Sequence, residues 1–191
     1  MAKPDQSPRP LALIVSRSPS DPELAAALRD DLHELLQFLR MRVESPDGTA
    51  ALAKAAASHR GPVLLAFSDV AALPADCAEG ALELLEELDV VVGPCPDGSV
   101  YLLGLAEGLD QPLIEMLVQA ALQPEGLAAC VSLLEESGLE AAALPPWFRL
   151  GTDKELSFAQ SLMRLSLLSE DGDSDFIADR VRIWFEKRAR S

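Results

Sequence analysis

Two stretches of this 191-residue chain combine residue types that could do chemistry. In the first, Phe67-Ser68-Asp69, an apolar run ends and the chain emits a carboxylate. Ligands collect at the C-terminal edge of the strands in an open α/β sheet. A carboxylate there can hold Mg²⁺ or Mn²⁺, and through the ion a nucleotide's phosphates. The competing role is local, with Asp69 capping the turn that follows through its own backbone. The second stretch, Pro96-Asp97-Gly98-Ser99, is a bend in which Gly98 would let the backbone approach a ligand while Asp97, Ser99 and Tyr101 offer polar contacts. Its alternative is a hairpin-like connection in which Asp97 and Gly98 supply only turn geometry. The functional reading requires Asp69 to face solvent beside the 96–99 bend.

The elements that must position these residues alternate between strand and helix. The run Leu11 to Ser16 is long enough for a buried strand and too short for a helix. Ser18 to Pro22 supplies a turn and a helix start with Ser20 or Asp21 as N-cap, and leucines from Leu24 to Leu39 recur at helical spacing to about Arg40. Met41 to Glu44 reads as a short strand, and Thr49 to about His59 as an alanine-rich helix. Val63 to Phe67 reads as a central strand buried on both faces. A helix beginning at Pro74 to Asp76, strands at 89–93 and 100–104, helices at about 111–122 and 125–137, a strand at 140–144 and a helix from about Thr152 to Leu168 complete the pattern. Such alternation predicts an α/β fold with a largely parallel sheet. The expected organisation is a flexible N-terminus over 1–10, one α/β domain over 11–168, and an acidic linker with an amphipathic helix over 169–191. In that last helix Phe176, Ile177, Val181, Trp184 and Phe185 share a stripe that can dock on its own domain, form a homodimer contact or, as a basic amphipathic helix, meet a membrane surface.

Composition narrows the function classes. The hydrophobic fraction of 49% and the charged fraction of 25% are those of an ordinary globular chain. The net charge of −15 is concentrated in residues 61–175, where 3 basic side chains face 21 acidic ones. Binding a nucleic-acid backbone needs Lys and Arg to replace its counterions, so this acidic middle argues against a nucleic-acid partner. No apolar run is long enough to span a bilayer and the N-terminus lacks a secretory core, so the expected location is cytoplasmic, without a membrane partner. The three cysteines, Cys77, Cys95 and Cys130, are too widely spaced for a zinc knuckle and odd in number for a disulfide framework. The sequence has no GxGxxG, Walker A, GxSxG or HExxH pattern, and His33 and His59 fall on predicted helices without converging partners.

With these stretches in view, the chain resembles the bacterial selenodomain-associated transferases, a family of glycosyltransferase-A type fold related to the phospholactate guanylyltransferases. That family's Asp-Val-Val-Leu-Gly-Pro-x-x-Asp-Gly-Gly-Tyr-Tyr-Leu-Ile-Gly-Leu motif is similar to the run from Asp89 to Leu105, which here reads Gly93-Pro94-Cys95-Pro96-Asp97-Gly98-Ser99 at its centre. Its strand-end motif Gly-Thr-Asp-Cys-Pro-Asp-Leu is similar to Phe67-Ser68-Asp69-Val70-Ala71-Ala72-Leu73. Its later Gly-Leu and Leu-Pro-Pro elements reappear as Gly138-Leu139 and Leu144-Pro145-Pro146.

The resemblance implies a three-layer nucleotide-diphospho-sugar transferase fold, with a mixed, mainly parallel sheet between helices. It implies a nucleotidyl- or glycosyl-transferase that takes a nucleotide or sugar nucleotide with Mg²⁺ or Mn²⁺. On this basis Asp69 and Asp97 are the catalytic candidates and Asp69 with Asp153 the metal candidates. Arg17, Ser68, Gly98, Ser99 and Tyr101 are the substrate-binding candidates, with Arg17 on the phosphates and the 97–99 bend shaping the acceptor site.

The chain departs from the family in four places, one of them a shortened segment around the second strand. The family's Lys-Thr-Arg-Leu loop falls on Ala25-Ala26-Ala27-Leu28. The second aspartate of its strand-end motif is Ala72. Its Asp-Val-Asp-Thr-Pro-Glu-Asp-Leu becomes Arg149-Leu150-Gly151-Thr152-Asp153-Lys154-Glu155-Leu156, so that Asp153 or Glu155 would have to replace the carboxylate lost at Gly151. The alternative function is therefore a catalytically inactive relative that serves as a binding or assembly protein.

Overall fold

The structure is a computed structural model, described for residues 8–17, 19–166, 168 and 179–188. The N-terminal residues 1–7, Ser18, the acidic linker with Phe176 and Ile177, and the last three residues lie outside the described residues. Six strands form one sheet in the order β2 (Arg42–Glu44), β1 (Leu11–Val15), β3 (Val63–Phe67), β5 (Val100–Leu105), β4 (Val90–Pro94) and β6 (Ala141–Ala143). Strand β1 pairs in parallel with β2 and β3, and β4 in parallel with β6, whereas β5 runs antiparallel to both β3 and β4. The sheet is thus mixed and mostly parallel, flanked by helices, as the alternating pattern predicts.

Local sequence accounts for the main elements. Every residue of β1 and β3 is buried, because helices cover both faces and leave no polar side to alternate with. Helix α1 (Pro22–Phe38) starts at Asp21, whose carboxylate accepts the amides of Glu23 and Leu24, with Pro22 in the first turn, where its missing N–H costs nothing. Leu24, Leu28, Leu32 and Leu36 put four buried leucines on one stripe. Helices α2 (Thr49–Ser58), α3 (Ala75–Leu84), α4 (Gln111–Ala121), α5 (Gly126–Ser137) and α6 (Asp153–Ser166) follow. The last, α7 (Asp179–Arg188), packs on α1.

Its stripe of Val181, Trp184 and Phe185 is buried with Leu24, Leu28, Ala71, Leu150, Ala159 and Met163 in a second, smaller core beside the main one. Of the roles open to this helix, the structure has docking on its own domain, and a dimer through the same stripe would first have to undock α7. Among the described residues no helix is long and apolar enough to cross a membrane.

Chain order makes the site. The chain leaves β1 for β2 on one side and returns to β3 on the other, so the C-terminal ends of β1 and β3 flank a topological switch point, where side chains from separate loops meet. Arg17 follows β1 there, and Ser68 and Asp69 follow β3. Strands β4 and β5 form an antiparallel hairpin whose turn is the 95–98 bend, so the hairpin geometry expected of Asp97 and Gly98 is present. Cys95 N–H donates to Ser99 O (2.8 Å), Gly98 N–H donates to Cys95 O (3.0 Å), and Gly98 takes φ +86°, a left-handed value that suits glycine.

One glycine in this hairpin sets the next layer. A Cβ on Gly93 would lie 2.6 Å from Tyr101 Cζ, so the phenol ring rests flat across the Gly93 backbone. Gly93→Ala would push that ring off its seat and strain the hydrogen bond from Tyr101 Oη to Pro145 O. The expected cost is about 2 kcal/mol of stability, the usual scale of overpacking a tight core. Urea denaturation of the variant against wild type measures it.

Candidate functional site

The centre of the site is one carboxylate between two guanidiniums. Asp69 is 1% exposed, and its Oδ2 accepts a hydrogen bond from Arg17 Nε at 2.8 Å. Arg149 Nε lies 3.0 Å from the same oxygen, an ion-pair contact rather than an aligned hydrogen bond. Arg17 also donates from Nη2 to Val100 O (2.8 Å) and lays its guanidinium over the Phe67 ring at 4.4 Å, so one side chain ties the ends of β1, β3 and β5 together. Arg149 arrives because the chain pairs with itself here: Val70 and Arg149 form an antiparallel bridge, and Leu150 N–H donates to Asp69 O at 2.7 Å. A Cβ on Gly151 would sit 2.7 Å from Arg149 Nη2, so the guanidinium folds over a residue that has no side chain to obstruct it.

The expectation that Asp69 faces solvent is corrected by this geometry. Its partners are internal, and burial beside two cations explains why the carboxylate stays inside. Ser68 and Tyr101 are likewise interior. Ser68 is 3% exposed, its Oγ accepting from Arg17 N–H and donating to Arg17 O, while Tyr101 is fully buried with its hydroxyl on Pro145 O. Ser99 is fully buried and donates from both its amide (3.0 Å) and its hydroxyl (2.6 Å) to Asp97 Oδ1. Arg17, with 12% of its side chain exposed, is engaged by Asp69 and Val100 rather than held free for phosphates. These residues build the floor of the site. Burial pushes the Tyr101 hydroxyl well above its usual range, and it pushes the Cys95 thiol up to about 11, so both stay protonated at neutral pH.

Asp97 keeps an accessible carboxylate at the site, 40% exposed, with Oδ2 3.9 Å from Arg149 Nη1. Partial burial pushes its carboxyl up, but the hydrogen bonds from Ser99 and the charges of Arg149 and Arg17 outweigh this and hold it below the ordinary aspartate range. Asp153 does not join the group. It is exposed in the first turn of α6 and lines a groove that also contains Trp184, Phe185 and Arg188. Glu155, the other substitute for a second carboxylate, turns back on its own helix and accepts Gly151 N–H (2.7 Å) and Thr152 N–H (2.8 Å), the reciprocal cap that a Thr-x-x-Glu sequence provides.

A divalent cation does not fit these donors as they are arranged. The carboxylate that would have to hold it is committed to two guanidiniums whose charge opposes the ion, Asp97 also faces Arg149, and Glu155 is taken by the amides of its own helix start. Among the described residues no group of three His, Cys, Asp or Glu side chains is placed to hold a metal.

Open space lies on the outer side of Arg149. A cavity of about 360 Å³ is bounded by Cys95, Asp97, Phe148, Arg149, Lys154 and Phe158, among others. Its aromatic wall is anchored: Trp147 N–H donates to Pro94 O (3.0 Å), Trp147 Nε1 donates to Ala71 O (2.8 Å), and the Trp147, Phe148 and Phe158 rings pack in series at 5.2 and 5.1 Å. Phe148, Arg149, Lys154 and Phe158 were not among the sequence candidates. The available signal was local, with aromatic and cationic residues crowded directly after Pro145-Pro146 in a chain that is only 5% aromatic.

The fold has counterparts among solved structures. Over 95% of both chains the structure superposes, with TM-score 0.67 and 17% identity, on a protein from Desulfovibrio desulfuricans G20 provisionally assigned as a nucleotide-diphospho-sugar transferase. It also matches a 4-diphosphocytidyl-2C-methyl-D-erythritol synthase from Anaerococcus prevotii DSM 20548, with TM-score 0.54 and 8% identity over 82% of this chain and 99% of that one. The fold is that of the nucleotide-diphospho-sugar transferases. Within it, the chain belongs to the family described as uncharacterized protein conserved in bacteria (DUF2064), which matches residues 21–118. No protein of curated function matches the sequence.

Proposed function

We propose that this protein is a non-catalytic relative of the nucleotide-dependent transferases that binds a nucleotide or sugar nucleotide in the crevice at the C-terminal edge of the sheet, without metal-assisted group transfer. The similarity of the 89–105 segment to the selenodomain-associated transferases, and through them to the phospholactate guanylyltransferases, supports that ancestry. The observation that carries the reading is Asp69 held between Arg17 and Arg149. Phosphoryl transfer is catalysed by positioned cations that meet charge as it develops. Here the buried cations are spent on an internal carboxylate.

The helix termini at the crevice are spent in the same way. The first amides of α1 are taken by Asp21, and Gly151 and Thr152 at the start of α6 by Glu155, whose carboxylate also opposes a polyphosphate there. Retained binding is supported by the cavity and by two buried polar atoms, Asp69 Oδ1 and Arg17 Nη1, that lack a hydrogen-bond partner among the described residues. Such atoms in a native interior call for a water or a ligand atom.

Calorimetric titration with a panel of nucleotides and sugar nucleotides, with Mn²⁺ and with chelator, tests the proposal alongside an assay for transfer products. The expected result is binding that is the same with and without Mn²⁺, and no product. Mn²⁺-dependent binding with turnover would establish an active transferase instead, and failure to bind any member of the panel would leave only an assembly role.

A further inference from the structure

We infer that the cavity outside Arg149 is a subsite for a nucleoside monophosphate, with the base against Phe148 and Phe158 and the single phosphate between Arg149 and Lys154. The inference rests on the nucleotide-binding reading above and adds to it a location, a charge limit and a set of contacts. The cavity, about 360 Å³, falls in the range of small-ligand sites. Phe158 lines the cavity, is 51% exposed and meets Phe148 at an interplanar angle of 87°, so Phe148 does not stack face to face on the Phe158 ring. A planar base would cover it, since base–aromatic stacking tolerates any base.

Charge sets the limit on the phosphates. Arg149 keeps 24% of its side chain exposed, and Lys154 is exposed with no acidic partner among the described residues. A monophosphate carries about two negative charges at neutral pH, which Lys154 meets with an unspent charge and Arg149, already facing Asp69 and Asp97, meets only with donors on its outer edge. A triphosphate would carry its further charge toward Asp97, Asp153 and Glu155 in a chain of net charge −15. Asp97 Oδ2, free of the turn that occupies Oδ1, is placed to accept from a ribose hydroxyl or an exocyclic amine.

The wall is rigid before any ligand arrives. The 145–150 segment is pinned through Tyr101, Pro94, Ala71 and Asp69, so little ordering would accompany binding.

The test is the affinity of the four ribonucleoside 5′-monophosphates and of the matching triphosphates, without metal, for wild type and three variants. Phe158→Ala and Lys154→Glu change exposed side chains on the cavity, and Phe38→Ala removes an 80%-exposed ring on α1 that does not line it. Monophosphates are expected to bind more tightly than triphosphates. Phe158→Ala should weaken binding roughly tenfold or more. Lys154→Glu should weaken it and flatten its salt dependence, and Phe38→Ala should change nothing. Circular dichroism and melting temperatures confirm that the variants stay folded. Nucleotide binding untouched by Phe158→Ala and Lys154→Glu, or triphosphates preferred over monophosphates, would overturn the subsite while leaving the general reading intact. No binding by any nucleotide would overturn both.

Discussion

Asp69→Asn is expected to cost about 3 kcal/mol of folding stability, although it changes one atom and no volume. The asparagine would sit between Arg17 and Arg149 with no charge to compensate theirs, and removing one partner from a buried ion pair costs roughly 3–5 kcal/mol. The lower end applies because Arg149 is 24% and Arg17 12% exposed, so water relieves part of the repulsion. The sign separates the two roles open to this carboxylate. A metal-holding aspartate in an empty site is a repulsive element, and neutralising it commonly leaves stability unchanged or raised. A carboxylate that neutralises two arginines has the opposite sign.

A second substitution makes the assignment sharper. Arg149→Leu removes one of the two cations along with the pairing and leaves Arg17 with Asp69, so it should cost less than Asp69→Asn. In the double variant Asp69→Asn/Arg149→Leu part of the loss should return, because the two residues are in contact and their effects are not additive. Urea denaturation of the four proteins, with Asp69→Asn as stable as wild type, would show that the bridge does not hold the edge of the sheet.

How much of this was readable in the sequence follows from the range of each interaction. The strands Leu11–Val15 and Val63–Phe67 and the capped leucine stripe of α1 are set by neighbours within a few residues, and the pattern locates them within two positions. The same holds for the bend at Asp97 and Gly98, whose turn geometry is local. The partnership that decides the site is not local. Asp69 and Arg149 are 80 positions apart, and they meet because a bridge at Val70 folds the 149–151 segment back over the end of β3.

From the sequence, a carboxylate at a strand end looks like one presented to solvent. What internalises it is an arginine that no period or spacing ties to it. Gly151 carried a clue. It has no side chain, and the space this leaves is the space the Arg149 guanidinium fills. Ser68, Ser99 and Tyr101, read from the sequence as polar contacts for a ligand, are buried on internal partners for a related reason. Polar groups at a strand edge serve ligands or the turns beneath them, and only coordinates tell the two apart.

The other large effect is expected at the opposite end of the chain. Trp184→Ala should destabilise the protein by about 3 kcal/mol, the cost of emptying a buried indole site. Ile183→Ala, one residue earlier and 43% exposed, should cost little. Trp184 is 7% exposed in the small core where α7 meets α1, buried with Val181 and Phe185 of its own helix and with Leu24 and Leu28 of α1. What seats the helix is Asp31, a carboxylate on α1 that is itself nearly buried. It accepts Val181 N–H at 3.1 Å and Arg180 Nη1 at 2.8 Å, and so caps the first turn of a helix from another element. Apolar contact and cap act on the same ten residues, so Asp31→Ala and Trp184→Ala should loosen α7 together rather than independently.

Hydrogen exchange distinguishes this from general destabilisation. Amides 182–188 should lose protection in either variant well before those of β1 and β3 do. That outcome would also bear on the candidate site, because Leu150, adjacent to Arg149, lies in the same small core. If α7 stays protected while the protein as a whole weakens, the helix is held by something other than this contact and the coupling to Arg149 fails with it.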